Sequence, residues 1–227
     1  MKNLVISALI FFSLNAYAAH HEESDLGSNN YQLISTYEIA YGQNPQVLSK
    51  WLQTYQKNQE SFGYNNCGVY QHEFGAPRSF YTYCNFDDFG QFAEIMKKSN
   101  AAPNTSSRQN FASHSDNFVS VIERNLTEAP NYLLYSKFIF GPYLTATERG
   151  DRAKKLFNLF QSSFKACNLA QHKFGTEIAF YISCGFSDYS DFAKKQKIQS
   201  ELNKKEYSDI NLDIKDHSDN ILVLIMD

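Results

Sequence analysis

Two histidines and three tyrosines are placed where they could act together. His72 and His172 each occupy a Gln-His-x-Phe-Gly motif, and Tyr81, Tyr83 and Tyr181 follow shortly after them. An imidazole titrates near neutrality and can act as a general base or an axial ligand, while a phenol can donate to a bound oxygen. Apart from His20 and His21, each histidine has a counterpart: 72 with 172, and 114 with 217 in two His-Ser-Asp-Asn segments. Retention at both positions speaks first for a structural role and second for pocket lining. The His-Ser-Asp-Asn segments read as turns whose polar side chains bond local backbone. If the chain is cleaved after Ala18, Ala19-His20-His21 offers an amine, two amides and a third-position imidazole, a square-planar set for Cu(II) or Ni(II). The competing reading is a polar leader. There is no nucleophile elbow, phosphate loop, zinc-binding helix or dinucleotide fingerprint, so no motif requires a cofactor and no residue is assigned a catalytic role.

The four cysteines repeat as well. Cys67 and Cys84 are separated as Cys167 and Cys184 are, and a tight turn at Gly75-Ala76-Pro77 would place each pair directly across a hairpin. Directly opposed strand residues have Cβ atoms about 4.5–5.5 Å apart, near the separation a disulfide needs. One cross-strand bridge per hairpin is expected; free buried thiols and a Cys/His metal site are the alternatives, the second disfavoured by the lack of paired Cys-x-x-Cys clusters. Strand alternation then puts Val69, Phe80, Thr82, Leu169, Ile178, Phe180 and Ile182 on the cysteine side, facing helices. His72, Tyr81, Tyr83, His172 and Tyr181 fall on the other side, towards a shared cavity, unless a bulge intervenes.

These residues are positioned by a duplication. From Cys67 to Ala93, twelve of twenty-seven positions match Cys167 to Ala193 without a gap. Each copy opens with a strand (31–41 and 132–140). A helix follows, carrying Val47, Leu48, Trp51, Leu52 and Tyr55 in one copy and Ala153, Leu156, Phe157, Phe160 and Phe164 in the other. Strands at about 66–74 and 78–85 come next, then a helix started by Asp87 or Ser187 with Phe89, Phe92, Ala93 and Met96 on one face. A last strand runs from Phe118 to Leu126 or from Ile221 to Met226. The order βαββαβ is that of a ferredoxin-like unit. An α+β protein of two tandem units is expected, spanning 31–126 and 132–227 and joined by 127–131. Each sheet has one bare face, so the two should pack together as a pseudo-dimeric α/β barrel.

Residues 1–18, with Lys2, an apolar run and Ala16-Tyr17-Ala18, read as a bacterial secretory signal peptide followed by a flexible leader, 19–30. The mature chain should be periplasmic or secreted, with no membrane insertion. Loss of Lys2 takes the formal charge from −3 to −4, which gives no footprint for nucleic acid.

Element order and duplication together resemble the dimeric α/β-barrel superfamily in a fused form, over nearly all of the mature chain. The resemblance implies cofactor-free oxygenation or isomerisation of small aromatics, haem binding with His72 or His172 as axial ligand, or ligand binding without turnover. A small apolar or aromatic ligand is the expected partner; a structural module with a filled barrel is the remaining alternative.

Overall fold

The computed structural model describes residues 30–75, 77–102, 111–175, 177–206 and 212–226. The expected signal peptide and Ala19-His20-His21 lie outside these residues. In chain order the elements are β1 (Tyr31–Ile39), α1 (Pro45–Phe62), β2 (Asn66–Phe74), β3 (Ser79–Phe86), α2 (Phe89–Ala101), β4 (Phe111–Arg124), β5 (Tyr132–Phe140), α3 (Ala146–Phe164), β6 (Cys167–Phe174), β7 (Phe180–Phe186), α4 (Tyr189–Glu206) and β8 (Ile214–Met226).

Local chemistry explains the helix boundaries. Asn44 accepts the Gln46 N–H at 2.9 Å with Pro45 in the first turn, and Gly63 closes α1 in the left-handed region. Thr145 and Glu148 cap the start of α3 reciprocally. Leu48 and Leu52 of α1 are buried, as are Ala153, Leu156, Phe157, Phe160 and Phe164 of α3, which the helical spacing predicts. The second helices begin one residue later than expected. Asp88 accepts the Gln91 N–H and Asp188 the Asp191 N–H, both at 2.8 Å, while Asp87 is taken by the Asn65 side chain. Their faces are also corrected: α2 buries Ile95, and Phe89 and Met96 are partly exposed.

The eight strands form a closed antiparallel barrel in the order β1-β3-β2-β8-β5-β7-β6-β4. Helix-side cores lie outside it, around Leu52, Val69 and Phe80 in one half and Leu156, Leu169 and Ile182 in the other. Cys67 is disulfide-bonded to Cys84 and Cys167 to Cys184, each pair in direct register across its hairpin. Ile178, expected in the helix-side core, is instead 70% exposed because the β7 ladder begins only at Phe180.

The barrel closes along two seams, β2–β8 and β4–β6, which explain the duplicated motifs. The phenylalanine of each Gln-His-x-Phe-Gly hairpin reaches across its seam: Phe74 packs edge-on against Tyr189 at 6.1 Å, and Phe174 against Phe89 at 5.8 Å. The glycine that follows lies against the other half's Asp-Asn pair. A Cβ on Gly75 would come 2.3 Å from the Asp219 carbonyl, and one on Gly175 2.8 Å from the Asp116 carbonyl. The His-Ser-Asp-Asn segments are therefore strand rather than turn. Both β4 and β8 start well before the expected 118 and 221 because they continue pairing with β1 and β5.

Each aspartate of these segments is pinned by its neighbours. The Ser35 hydroxyl donates to Asp116 and Ser136 to Asp219, both at 2.5 Å, while His114 and His217 sit 3.0 Å from the same carboxylate oxygens. The aspartate stands between serine and histidine, so no serine is activated by an imidazole as in nucleophilic catalysis. Asp219 raises the pKa of His217; Asp219 itself, although its burial opposes ionisation, is held below the usual carboxylate range by bonds from His217 and Ser136. A raised histidine stabilises the fold below its unfolded pKa, about 6.5, and stops doing so as pH rises through the folded value. A lowered aspartate contributes above about 3.8 and stops as pH falls through its folded value. The stability lost in His217→Gln should therefore be largest near pH 5–6 and shrink towards pH 8, read from urea midpoints across pH. A pH-independent difference would contradict the ion pair.

Candidate functional site

Alternate residues of each strand face the barrel interior. Ile34, Tyr70, Tyr81, Tyr83, Val121, Leu133, Tyr135, Ala170, Tyr181 and Leu222 surround a cavity of about 260 Å³. Its roof is the segment between β4 and β5, whose Leu126, Thr127, Glu128, Ala129 and Pro130 all line it. Two side chains of the wall hold that roof. Asn168 Oδ1 accepts the N–H groups of Asn125 and Leu126, both at 2.9 Å, and the Tyr70 hydroxyl donates to the Pro130 carbonyl at 3.1 Å.

The roof makes a nearly twofold barrel one-sided, and the wall follows suit. In the first half, Gly68 opposes Tyr83, and a Cβ at Gly68 would meet the Tyr83 ring at 2.4 Å; the glycine is what lets this ring lie against the strand. At the equivalent place in the second half, Asn168 opposes Ser183, leaving room for the asparagine to reach the roof. A chain of amides completes the first half's rim: Gln32 Nε2 donates to Asn85 Oδ1 at 3.0 Å, and Asn85 Nδ2 donates to Asn66 Oδ1.

Three phenols lie together in the wall. The Tyr135 ring lies 5.7 Å from those of both Tyr81 and Tyr181 and stacks on the latter. Among the described residues none of these three hydroxyls has a hydrogen-bond partner. Burial pushes Tyr81 up to about 12 and raises Tyr135 and Tyr181 further, with Glu177 adding to both of the latter. All three are therefore protonated donors at neutral pH. Glu177 is itself paired with Lys137 at 2.6 Å.

Of the five residues singled out in the sequence, Tyr81, Tyr83 and Tyr181 line the cavity and His72 and His172 do not. The histidines lie at the seams, His72 opposite the cavity-lining Leu222 and His172 opposite the buried Val119, without lining the cavity themselves. Both ring nitrogens of His72, and Nε2 of His172, are sealed from solvent without a hydrogen bond. Desolvation lowers both pKa values, against the Phe74 and Gly175 backbone, which favour the charged forms. Tyr135 and Arg124 line the cavity without having been singled out. The signal for Tyr135 was the alternation of β5, where it occupies the place that Ile34 holds in β1.

No protein-family model and no curated protein sequence matches this chain. Solved structures do. A "putative monooxygenase" of Fusobacterium nucleatum superposes with a TM-score of 0.56 at 11% identity, over 86% of this chain and 91% of the other. An anthrone oxidase-like protein gives 0.55 at 8%, over 87% and 92%. A "putative monooxygenase" of Lactobacillus acidophilus gives 0.53 at 8%, over 86% and 93%. The chain has the dimeric α/β-barrel fold.

Within this dimeric α/β barrel the cavity can bind and orient, but it offers little for proton abstraction. Among the described residues the one carboxylate lining it is Glu128, exposed in the roof, and the phenols hold their protons. A haem does not fit the residues present. The two histidines that could ligate iron do not line the cavity, with both ring nitrogens of His72 and Nε2 of His172 sealed from solvent, and the phenols inside are too weakly acidic to ligate readily as phenolates. No described helix is long and apolar enough to cross a membrane.

Proposed function

We propose that this is an exported small-molecule-binding barrel: a signal peptide (1–18), a leader (19–30) and two tandem ferredoxin-like units (31–126 and 132–227) joined by 127–131. The ligand is a small apolar or aromatic molecule held in the roofed cavity. The observation that carries this reading is the trio of phenols without a protein partner set beside Ile34, Val121, Leu133, Ala170 and Leu222 in a wall that also carries amides. Aromatic and aliphatic surface with placed polar groups is the usual composition of a small-molecule site, and 260 Å³ suits one or two rings. The two disulfides fit an oxidising compartment outside the cytoplasm. Neighbours are named as monooxygenases and as anthrone oxidase-like, but among the described lining residues the one carboxylate is Glu128, exposed in the roof, which favours binding over turnover. Equilibrium dialysis with 2-naphthol should show saturable binding at one site, lost when Ala170→Phe fills the cavity. Unchanged binding in that variant would refute the assignment.

A further inference from the structure

Resting on the reading of the cavity as a binding site, a narrower conclusion about its ligand follows from the donors. We propose that the cavity recognises an aromatic carboxylate, its rings between the apolar walls and its two oxygens received by the hydroxyls of Tyr81, Tyr135 and Tyr181.

Three observations converge. First, the three phenols line the cavity side by side and spend no donor on the protein, so their hydroxyls are open to a ligand. Three such groups around one space call for a ligand that accepts several hydrogen bonds. A carboxylate offers about four lone-pair sites over two oxygens, enough for three donors approaching from different strands. Second, hydrogen bonds to an ionised acceptor are about twice as strong as neutral ones, and phenols whose burial holds their protons are suited to give them. Third, among the described residues no histidine lines the cavity and its one carboxylate is Glu128 in the roof, so an anion meets no lining carboxylate beside the phenols. An aryl carboxylate is ionised at neutral pH and a simple phenol is not.

The surrounding charges do not oppose an anion. Glu177, the carboxylate felt by Tyr135 and Tyr181, is countered by Lys137 at 2.6 Å, and Arg124 lines the cavity along with Glu128. Ile34, Val121, Ala170 and Leu222 supply apolar contacts for the rings. Tyr135 is the decisive residue because it touches both other phenols and has isoleucine as its counterpart in the first half.

The test compares 2-naphthoate, its methyl ester and 2-naphthol by isothermal titration on the full protein. The carboxylate should bind at least tenfold more tightly than the ester. Tyr135→Phe should remove most of that preference, with an unchanged near-ultraviolet circular dichroism spectrum showing that the barrel remains formed. Tyr181→Phe should act in the same direction. Ester binding equal to or tighter than naphthoate in the unmodified protein would overturn the carboxylate assignment and leave a neutral-ligand site. Failure of all three compounds to bind would overturn both readings.

Discussion

Gly75→Ala should destabilise the protein by roughly 3 kcal/mol or more, combining backbone strain with a steric clash. The residue has φ 121°, where a Cβ is strained whatever the space. That Cβ would also lie 2.3 Å from the Asp219 carbonyl and 3.0 Å from the Asn220 Cα, backbone atoms fixed in the β8 ladder. Relief would require the β2–β8 seam to open. Gly42→Ala is the control. Its φ of 80° imposes strain, but nothing lies within 4 Å of the added methyl, so it should cost only about 1 kcal/mol. Urea unfolding of the two variants separates conformational strain from seam packing, and equal losses would mean that the seam tolerates the methyl. Gly175→Ala should fall between them, because its nearest clash is with the Asn117 side chain.

Removing either disulfide should have an effect of similar size. Each bridge joins residues 17 apart, and closing a loop of that order restrains the unfolded chain by about 3 kcal/mol. Because the two loops do not overlap, the contributions should add to roughly 6 kcal/mol, a large part of the 5–15 kcal/mol that holds a typical domain. Cys67→Ala with Cys84→Ala should lower the urea midpoint, as should the matching pair in the second half. Reductant should shift the unmodified protein by about the sum and leave a variant lacking all four cysteines unmoved. A midpoint insensitive to reductant, with four free thiols then titratable, would show that the bridges contribute little. The bridged positions are almost wholly buried, so alanine also removes packing, and the measured loss should exceed the loop-closure value where the cavity left cannot collapse.

Much of the fold was legible because it rests on local rules. A turn at Gly75 sets the hairpin register, and register places Cys67 against Cys84 and Cys167 against Cys184. Helical spacing identified the buried face of α3 for the same reason: a 3.6-residue period aligns Ala153, Phe157, Phe160 and Phe164 on one side. The failures occur where a partner distant in sequence decides. Nothing near His114 or His217 announces that β1 and β5 will extend β4 and β8 through the His-Ser-Asp-Asn segments. Likewise, no local pattern announces that His72 and His172, paired at the seams with Leu222 and Val119, stand outside the cavity that Tyr81, Tyr83 and Tyr181 line.

By itself, then, the sequence determined two copies of one element order, the hairpin pairings, the bridges and the need of each sheet for a partner, because these follow from periodicity and short-range geometry. Tertiary structure alone decided that each Gln-His-x-Phe-Gly hairpin clamps the opposite half, that the joining segment roofs the barrel, and that Tyr135 completes a set of phenols begun by Tyr81 and Tyr181. Those features depend on closure, which brings residues from both halves within contact distance around one axis and sets the segment between β4 and β5 over the cavity.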